Sequence, residues 1–273
     1  SSQLNEEEIE EKKDHKEEGS SKKETGWRID RIQKDNFNIQ DISPGELEKL
    51  RLNNKGQKAK ELHTIHTTEK ALSYAFYGIS NGEVLDKVLN NLDILEAKAT
   101  FFIGKKDLIN HRDQVKRIAE AGHELGISLV ESQDRDFYSV LNSILLIQKG
   151  VKELTGQATN LVRYPYYLEL DEEILEAISS GGSTVVWEDL AIASSKVGKV
   201  GNLEAVLENA FNEGNYTARR GYIIYFRMDY YTNPDIISQA MLKIAEDRIY
   251  PITYQDGIAD NGSSYSIKAI GTI

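Results

Sequence analysis

The chain has 273 residues, 44 acidic against 33 basic side chains, a formal net charge of -11 and no cysteine. That length suits one large α/β domain with appendages. The acidity offers no basic surface to a nucleic-acid backbone, the missing cysteines exclude a disulfide scaffold and thiolate metal sites, and no apolar run reaches the ~18 residues that cross a bilayer as a helix.

Residues 1–25 hold nine acidic and five basic residues, with only Leu4 and Ile9 large and apolar. Such a stretch cannot bury enough surface to offset its ordering entropy, so it is expected to be a disordered charged tether. The sequence starts at Ser1 without Met, and a processed or trimmed N-terminus is expected. Residues 26–69 read as an N-terminal extension that packs on the main domain through Trp27, Ile29, Ile32, Phe37 and Ile39. Within it, Ser43 followed by Pro44 and Glu46 signals a helix start.

From residue 70 to 273, short apolar runs alternate with amphipathic stretches. "ALSYAFYG" predicts a strand, and the helix after it shows an apolar stripe of Val84, Leu85, Val88, Leu89, Leu92 and Leu95. "ATFFIG" is a buried strand, and "DLINHRDQVKRIAEAG" predicts one helix stopped by Gly122. "ELGISLV", "NLVRYPYY", "STVVWEDL", "GYIIYFRM" and "RIYPITY" supply further strands, separated by helical stretches such as "RDFYSVLNSILLIQKGVKELTG" and "NPDIISQAMLKIAED". Apolar strands alternating with crossover helices imply parallel strands covered by helices. About seven such units favour a closed or nearly closed barrel. No glycine-rich phosphate loop follows the first strand, which removes support for a Rossmann or P-loop reading.

In order and spacing, "KATFFIG", then "AGHELG", "TGQATNLVRYPYY", "VVW" and "GYIIYF" resemble the polysaccharide deacetylase family, the NodB-like carbohydrate esterases. The resemblance runs from about residue 70 to 257 and implies an irregular (β/α) barrel with a groove at the carboxyl ends of its strands. It also implies removal of acetyl groups from peptidoglycan, chitin-like polymers or xylan, by a divalent metal on one Asp and two His, an Asp base and a His acid. This sequence departs from the pattern at each of those positions. The family's Asp pair falls on Ala75 and Phe76 or on Phe76 and Tyr77, the two metal histidines on Ser128 and Ser132, and the general acid on Arg227. A serine hydroxyl is a poor metal ligand beside imidazole, and an arginine does not exchange a proton near neutral pH. No histidine follows His123, and His63 and His66 lie before the first barrel strand.

What is kept is the wall of the groove. Arg163, Pro165 and Tyr166 match the family's R-x-P-Y, and Trp187 matches its groove-wall tryptophan. Tyr164 and Tyr167 replace smaller residues and narrow the pocket. With its usual Asp absent, Arg163 has Asp189, Glu131 or Glu188 as alternative partners. The tyrosines at strand ends, Tyr74, Tyr77, Tyr164, Tyr166, Tyr167, Tyr225, Tyr230 and Tyr231, either stack on sugar rings or fill the space left by the metal. The expectation is therefore a deacetylase-like barrel without metal or cofactor. Arg163, Tyr164, Tyr166, Tyr167, Trp187 and Arg227 are the expected glycan-binding residues, and peptidoglycan or another N-acetylated polysaccharide is the expected partner. The resemblance and the tether together imply a secreted or lipid-anchored protein outside the cytoplasm. The rival readings are an active metal-dependent deacetylase with an unorthodox site and a structural, protein-binding barrel. The carboxylates Glu131, Asp134, Asp136, Glu188 and Asp189 follow predicted strands and would be the source of any other acid/base chemistry.

Overall fold

A computed structural model describes residues 40–194, 202–212, 217–249, 254–255, 258–259 and 265–273. The expected tether and the apolar residues Trp27 to Ile39 lie outside the described residues. In chain order the strands are β1 (Glu61–Leu62), β2 (Ala71–Tyr77), β3 (Thr100–Ile103), β4 (Glu124–Ser128), β5 (Leu161–Arg163), β6 (Thr184–Val186), β7 (Leu190–Ile192), β8 (Ile223–Arg227), β9 (Tyr254–Gln255), β10 (Ile258–Ala259) and β11 (Ser266–Ile267). Helices span Pro44–Asn54, Gly82–Ile94, Lys105–Asn110, Arg112–Glu120, Phe137–Thr155, Glu172–Ser180, Leu203–Ala210 and Asp235–Asp247. The helix starts carry the side chains that their free N–H groups need. Ser43 accepts from Glu46 N, Asn81 from Glu83 N and Val84 N, Asp136 from Ser139 N, and Asp171 from Ile174 N.

The chain divides into two compact units. Of the described residues, the first holds those up to Glu61, Ile103–Lys116 and Gly126–Val186, and the second holds those within Leu62–Phe102, Arg117–Leu125 and Trp187–Ile273. In the first, β5 runs parallel to β4 and β6, with Ile127 opposite Val162, Ser128 opposite Arg163 and Leu161 opposite Thr184. Helices Phe137–Thr155 and Glu172–Ser180 bury Phe137, Val140, Leu141, Ile144, Ile147, Ile174, Ala177 and Ile178. In the second, β2 lies between β3 and β8, β7 continues beyond β8, and β11 joins β2, all parallel. Every residue of β2 and β8 is buried, which is why these runs are apolar on both faces, with only Ser73 and Arg227 as exceptions, rather than alternating. Phe76 stacks on Phe101 and on Phe226, each with ring centres 4.9 Å apart, so one layer of phenyl rings crosses three strands.

The secondary structure differs from the sequence expectation at several points, each with a local cause. The helix expected after β3 is two helices. His111 N donates to Asp107 O, ending the first, and His111 O accepts from Val115 N, starting the second. Strand β5 stops at Arg163, before Pro165, which has no N–H to give a ladder. The strand expected over "STVVWEDL" is interrupted at Trp187–Asp189. There Trp187 N donates to Leu62 O, and Asp189 N donates to Ile223 O. The last expected strand lies partly outside the described residues, and its Ile249 forms a single bridge with Ala218. Strand β11 is two residues long and has no periodicity to reveal it.

Candidate functional site

The residues singled out by sequence fall at the carboxyl ends of strands, some in each unit. In the first unit, Ser128 and Arg163 close β4 and β5 as neighbours in register, and both are buried. Ser128 Oγ accepts from Val130 N at 3.3 Å, so this hydroxyl serves the turn that leaves the strand. Ser132 Oγ donates to Asp134 Oδ2 at 2.7 Å and accepts from Asp134 N at 3.2 Å. Ser143 Oγ donates to the same carboxylate oxygen. Asp134 thus joins the loop after β4 to the long helix. The Arg163 guanidinium donates to Val186 O at 3.4 Å. Among its expected partners, Glu131 lies 3.9 Å from Lys106. Tyr164 is buried, and that burial pushes its phenol pKa up. Tyr166 and Tyr167 are half-buried and meet edge to face at 6.0 Å.

In the second unit, Tyr77 and Arg227 are the corresponding pair in register at the ends of β2 and β8. Arg227 is 4% exposed. Its Nε donates to Asp229 Oδ1 at 2.9 Å and its Nη2 to Asp229 Oδ2 at 2.8 Å, a two-pronged pair. The guanidinium carbon lies 4.7 Å from the Tyr77 ring centre and 3.9 Å from that of Tyr230. Burial disfavours the charge, but the Asp229 carboxylate, its hydrogen bonds and the nearby tyrosines outweigh that, so the pKa is held above the ordinary arginine value. Arg227 is thus a fixed cation and cannot replace a general acid. Asp229 also explains Gly78, whose φ is +92° and whose added Cβ would stand 2.6 Å from Asp229 Oδ1. Trp187 stacks on His63 with ring centres 6.1 Å apart.

The strand-end tyrosines separate by environment. Tyr74, Tyr77, Tyr164, Tyr225 and Tyr231 are buried, whereas Tyr166, Tyr167 and Tyr230 keep partial exposure. Tyr74 faces the helix layer and donates its hydroxyl to Met241 O at 2.8 Å. Neither alignment of the family's Asp pair brings a carboxylate, since Ala75 is small, Phe76 lies in the ring layer and Tyr77 covers Arg227. Among the described residues, no three of His, Cys, Asp and Glu converge where a metal could be held. The donors at the matched positions are two hydroxyls and a guanidinium, which do not fit the Asp-His-His metal set that the resemblance implies.

Two titrating groups lie elsewhere in the second unit. His123 is buried and accepts from Ala99 N at 3.1 Å. Burial, with Lys98 adding to it, lowers its pKa to about 4. Asp189 accepts from Ile223 N at 2.8 Å, and burial raises its pKa to about 6. The sequence reading missed Asp229, and it took Asp134 as a carboxylate for acid/base chemistry rather than as the acceptor for Ser132 and Ser143. The only signals for these contacts were an acid two residues beyond Arg227 and the Ser132-x-Asp134 spacing.

Comparison with known proteins places these features. The polysaccharide deacetylase family model matches residues 66–186. YheN of Bacillus subtilis, provisionally named a polysaccharide deacetylase, is 30% identical over 127 residues, 44% of this chain and 45% of its own length. The peptidoglycan-N-acetylglucosamine deacetylase PgdA of Listeria monocytogenes is 31% identical over 105 residues, 36% of this chain and 22% of its own. The match thus spans less than half of either relative. Among solved structures, a CE4 family pseudoenzyme from Bacillus anthracis superposes with a TM-score of 0.60 at 13% identity, over 79% of this chain and 69% of its own. The peptidoglycan deacetylase PdaC from Bacillus subtilis superposes with a TM-score of 0.57 at 18% identity, over 76% of this chain and 91% of its own. These likenesses establish the parallel-stranded α/β fold, and the sequence matches support a relationship to the polysaccharide deacetylase family.

Proposed function

We propose that this chain, a polysaccharide deacetylase relative across residues 66–186, has given up metal-dependent deacetylation and acts as a glycan-binding or interaction module in a cell-wall context. The observation that supports this is the donor set at the matched positions. Ser128 and Ser132 are tied to the turn after β4, and Arg227 is a buried, permanently charged group clamped by Asp229. Serine hydroxyls are poor metal ligands beside imidazole, and an arginine does not exchange a proton near neutral pH. The proposed ligand is peptidoglycan or another N-acetylated polysaccharide, by analogy with a relative named for peptidoglycan N-acetylglucosamine. Secretion or lipid anchoring outside the cytoplasm is part of the same proposal.

Aromatic rings bind sugars through their faces, so the half-buried Tyr166 and Tyr167 of the first unit are the contact residues in this reading. Arg163 and Tyr164 are buried at the same strand end, and in this reading they support those two rings. The test is a calorimetric titration with N-acetylated chitooligosaccharides, together with sedimentation on insoluble peptidoglycan. The expected result is saturable binding that weakens in Tyr166→Ala and Tyr167→Ala. Absence of both signals up to about 10 mM oligosaccharide would refute glycan binding. A purely structural role is the second reading, favoured by the burial of Tyr74, Tyr164, Tyr225 and Tyr231, and that negative result would support it.

A further inference from the structure

The Gly122-His123-Glu124 motif, which carries part of the family resemblance, takes no part in the proposed glycan site. In the second unit its three residues grip Lys98, Ala99 and Thr100 at the start of β3. Gly122 has φ +85°, and an added Cβ would stand 3.2 Å from Lys98 Nζ, which donates to Ala121 O at 2.7 Å. His123 Nδ1 accepts from Ala99 N at 3.1 Å, and Glu124 N donates to Ala99 O at 2.9 Å. Glu124 Oε1 accepts from Thr100 Oγ1 at 2.8 Å.

The gripped residues in turn hold segment 265–273. Strand β2 meets β3 at Ala75 to Tyr77, and nearer its start it meets β11 at Ala71 and Leu72. Ser266 N donates to Lys70 O at 2.8 Å and Lys268 N to Leu72 O at 3.0 Å, while Ile267 O accepts from Lys98 N at 3.1 Å. The segment is thus inserted between β2 and the residues that enter β3. Ile270 N donates to Thr100 Oγ1 at 3.0 Å and Gly271 N to Glu124 Oε1 at 3.1 Å. A Cβ on Gly271 would overlap Glu124 Oε2, so this approach requires glycine. Ile267, Ala269 and Ile270 are buried, but the strand is only two residues long, and so short an element opens more readily than a core strand.

His123 is the proton-sensitive member of this arrangement. Its Nδ1 accepts from Ala99 N only while that nitrogen is unprotonated, because a charged imidazole carries a donor on each nitrogen and would set N–H against N–H. The charged groups around it are Lys98, which adds to burial in disfavouring the proton, and Glu124, which is engaged by Thr100 and Gly271. On the segment itself, Lys268 pairs with Glu69 at 3.0 Å. Opening the segment would bring the imidazole back towards its ordinary value of 6.5 from about 4, so acid favours the open form.

We propose that segment 265–273 is a releasable strap and that Gly122-His123-Glu124 is its acid-sensitive clasp. Protonation of His123 breaks the bond to Ala99, shifts residues 98–100 and frees the strap while the rest of the unit stays folded. The strap is held above about pH 6.5 and released as pH falls towards 4. This device is independent of the glycan reading. The test is amide hydrogen exchange on the full chain, read as protection factors at pH 7 and pH 4. Protection at Ser266, Lys268, Ile270 and Gly271 is expected to fall at least about tenfold at pH 4, and to lie at least about tenfold below that of the β8 amides, which report unfolding of the unit. His123→Gln, whose side-chain oxygen accepts at either pH, is expected to abolish the fall. Gly271→Ala, at an exposed position, is expected to loosen the strap already at pH 7 with His123 intact. Strap protection that is unchanged at pH 4, that falls equally in His123→Gln, that only matches β8, or that is unaffected by Gly271→Ala overturns the proposal.

Discussion

Each unit ends two neighbouring strands with an arginine in register beside a different residue: Arg163 beside Ser128 in the first, Arg227 beside Tyr77 in the second. Both guanidinium groups are buried. Arg163 belongs to the R-x-P-Y pattern shared with the family and donates to the backbone oxygen of Val186. Arg227 departs from the family pattern, and it comes with a carboxylate two residues on, an aromatic ring on each of two neighbours and a glycine that lets the carboxylate approach. A buried charge at the position that the resemblance matches to a general acid needs such a complete set of partners, because burying it without them costs several kcal/mol. The loop with Ser128 and Ser132 needs much less, since a neutral hydroxyl can be satisfied by one backbone N–H or one carboxylate.

This contrast predicts that the second unit is the more sensitive to single substitutions. Asp229→Ala should cost about 3 kcal/mol in urea denaturation, since it strands the Arg227 charge. Arg227→Met combined with Asp229→Ala should recover part of that loss, because the pair is then removed whole. A cost below about 1 kcal/mol for Asp229→Ala would show that the clamp is incidental. The next effect is a pH dependence in the same unit. His123 stays neutral in the fold because its pKa is lowered to about 4, against an ordinary value of 6.5. The unfolded chain takes up this proton first, so the stability His123 contributes is fully present above about pH 6.5 and is lost as pH falls from there towards 4. The loss should be about 2 kcal/mol and absent in a His123→Gln variant. Amide exchange at Ala99, whose N–H binds the imidazole, should rise in step.

In the first unit the expected changes are smaller. Asp134→Ala removes the acceptor for Ser132 and Ser143 and should cost about 1.5 kcal/mol. Tyr166→Ala should change stability by no more than about 1 kcal/mol, since the ring is half-exposed, yet it should weaken glycan binding. A stability loss equal to that of Asp229→Ala would instead make Tyr166 part of the core, as Tyr164 is.

Much of this fold is legible in the sequence because the apolar runs are long and regular. Strands β2, β3 and β8 and the helix stripe led by Val84 were all predicted by periodicity. The interruption at Trp187–Asp189 was not, because it arises from backbone partners brought near only by folding, Leu62 and Ile223. The candidate site divides in the same way. Motif spacing locates Ser128, Ser132, Arg163 and Arg227, but it cannot say what each one touches. Asp229 meets Gly78, far away in the chain, only because β2 and β8 are neighbours. Similarly, Tyr74 looks like a groove tyrosine in the sequence but faces the helix layer, since alternate residues of a strand take opposite faces.

The most direct measurement is acetate release from N-acetylated chitooligosaccharide and from peptidoglycan by the purified chain, with and without added Zn²⁺, alongside its metal content. Loss of metal-dependent deacetylation predicts no stoichiometric metal and no acetate above the protein-free control under either condition. Stoichiometric metal with metal-dependent acetate release would contradict it and make this chain an active deacetylase with an unorthodox site.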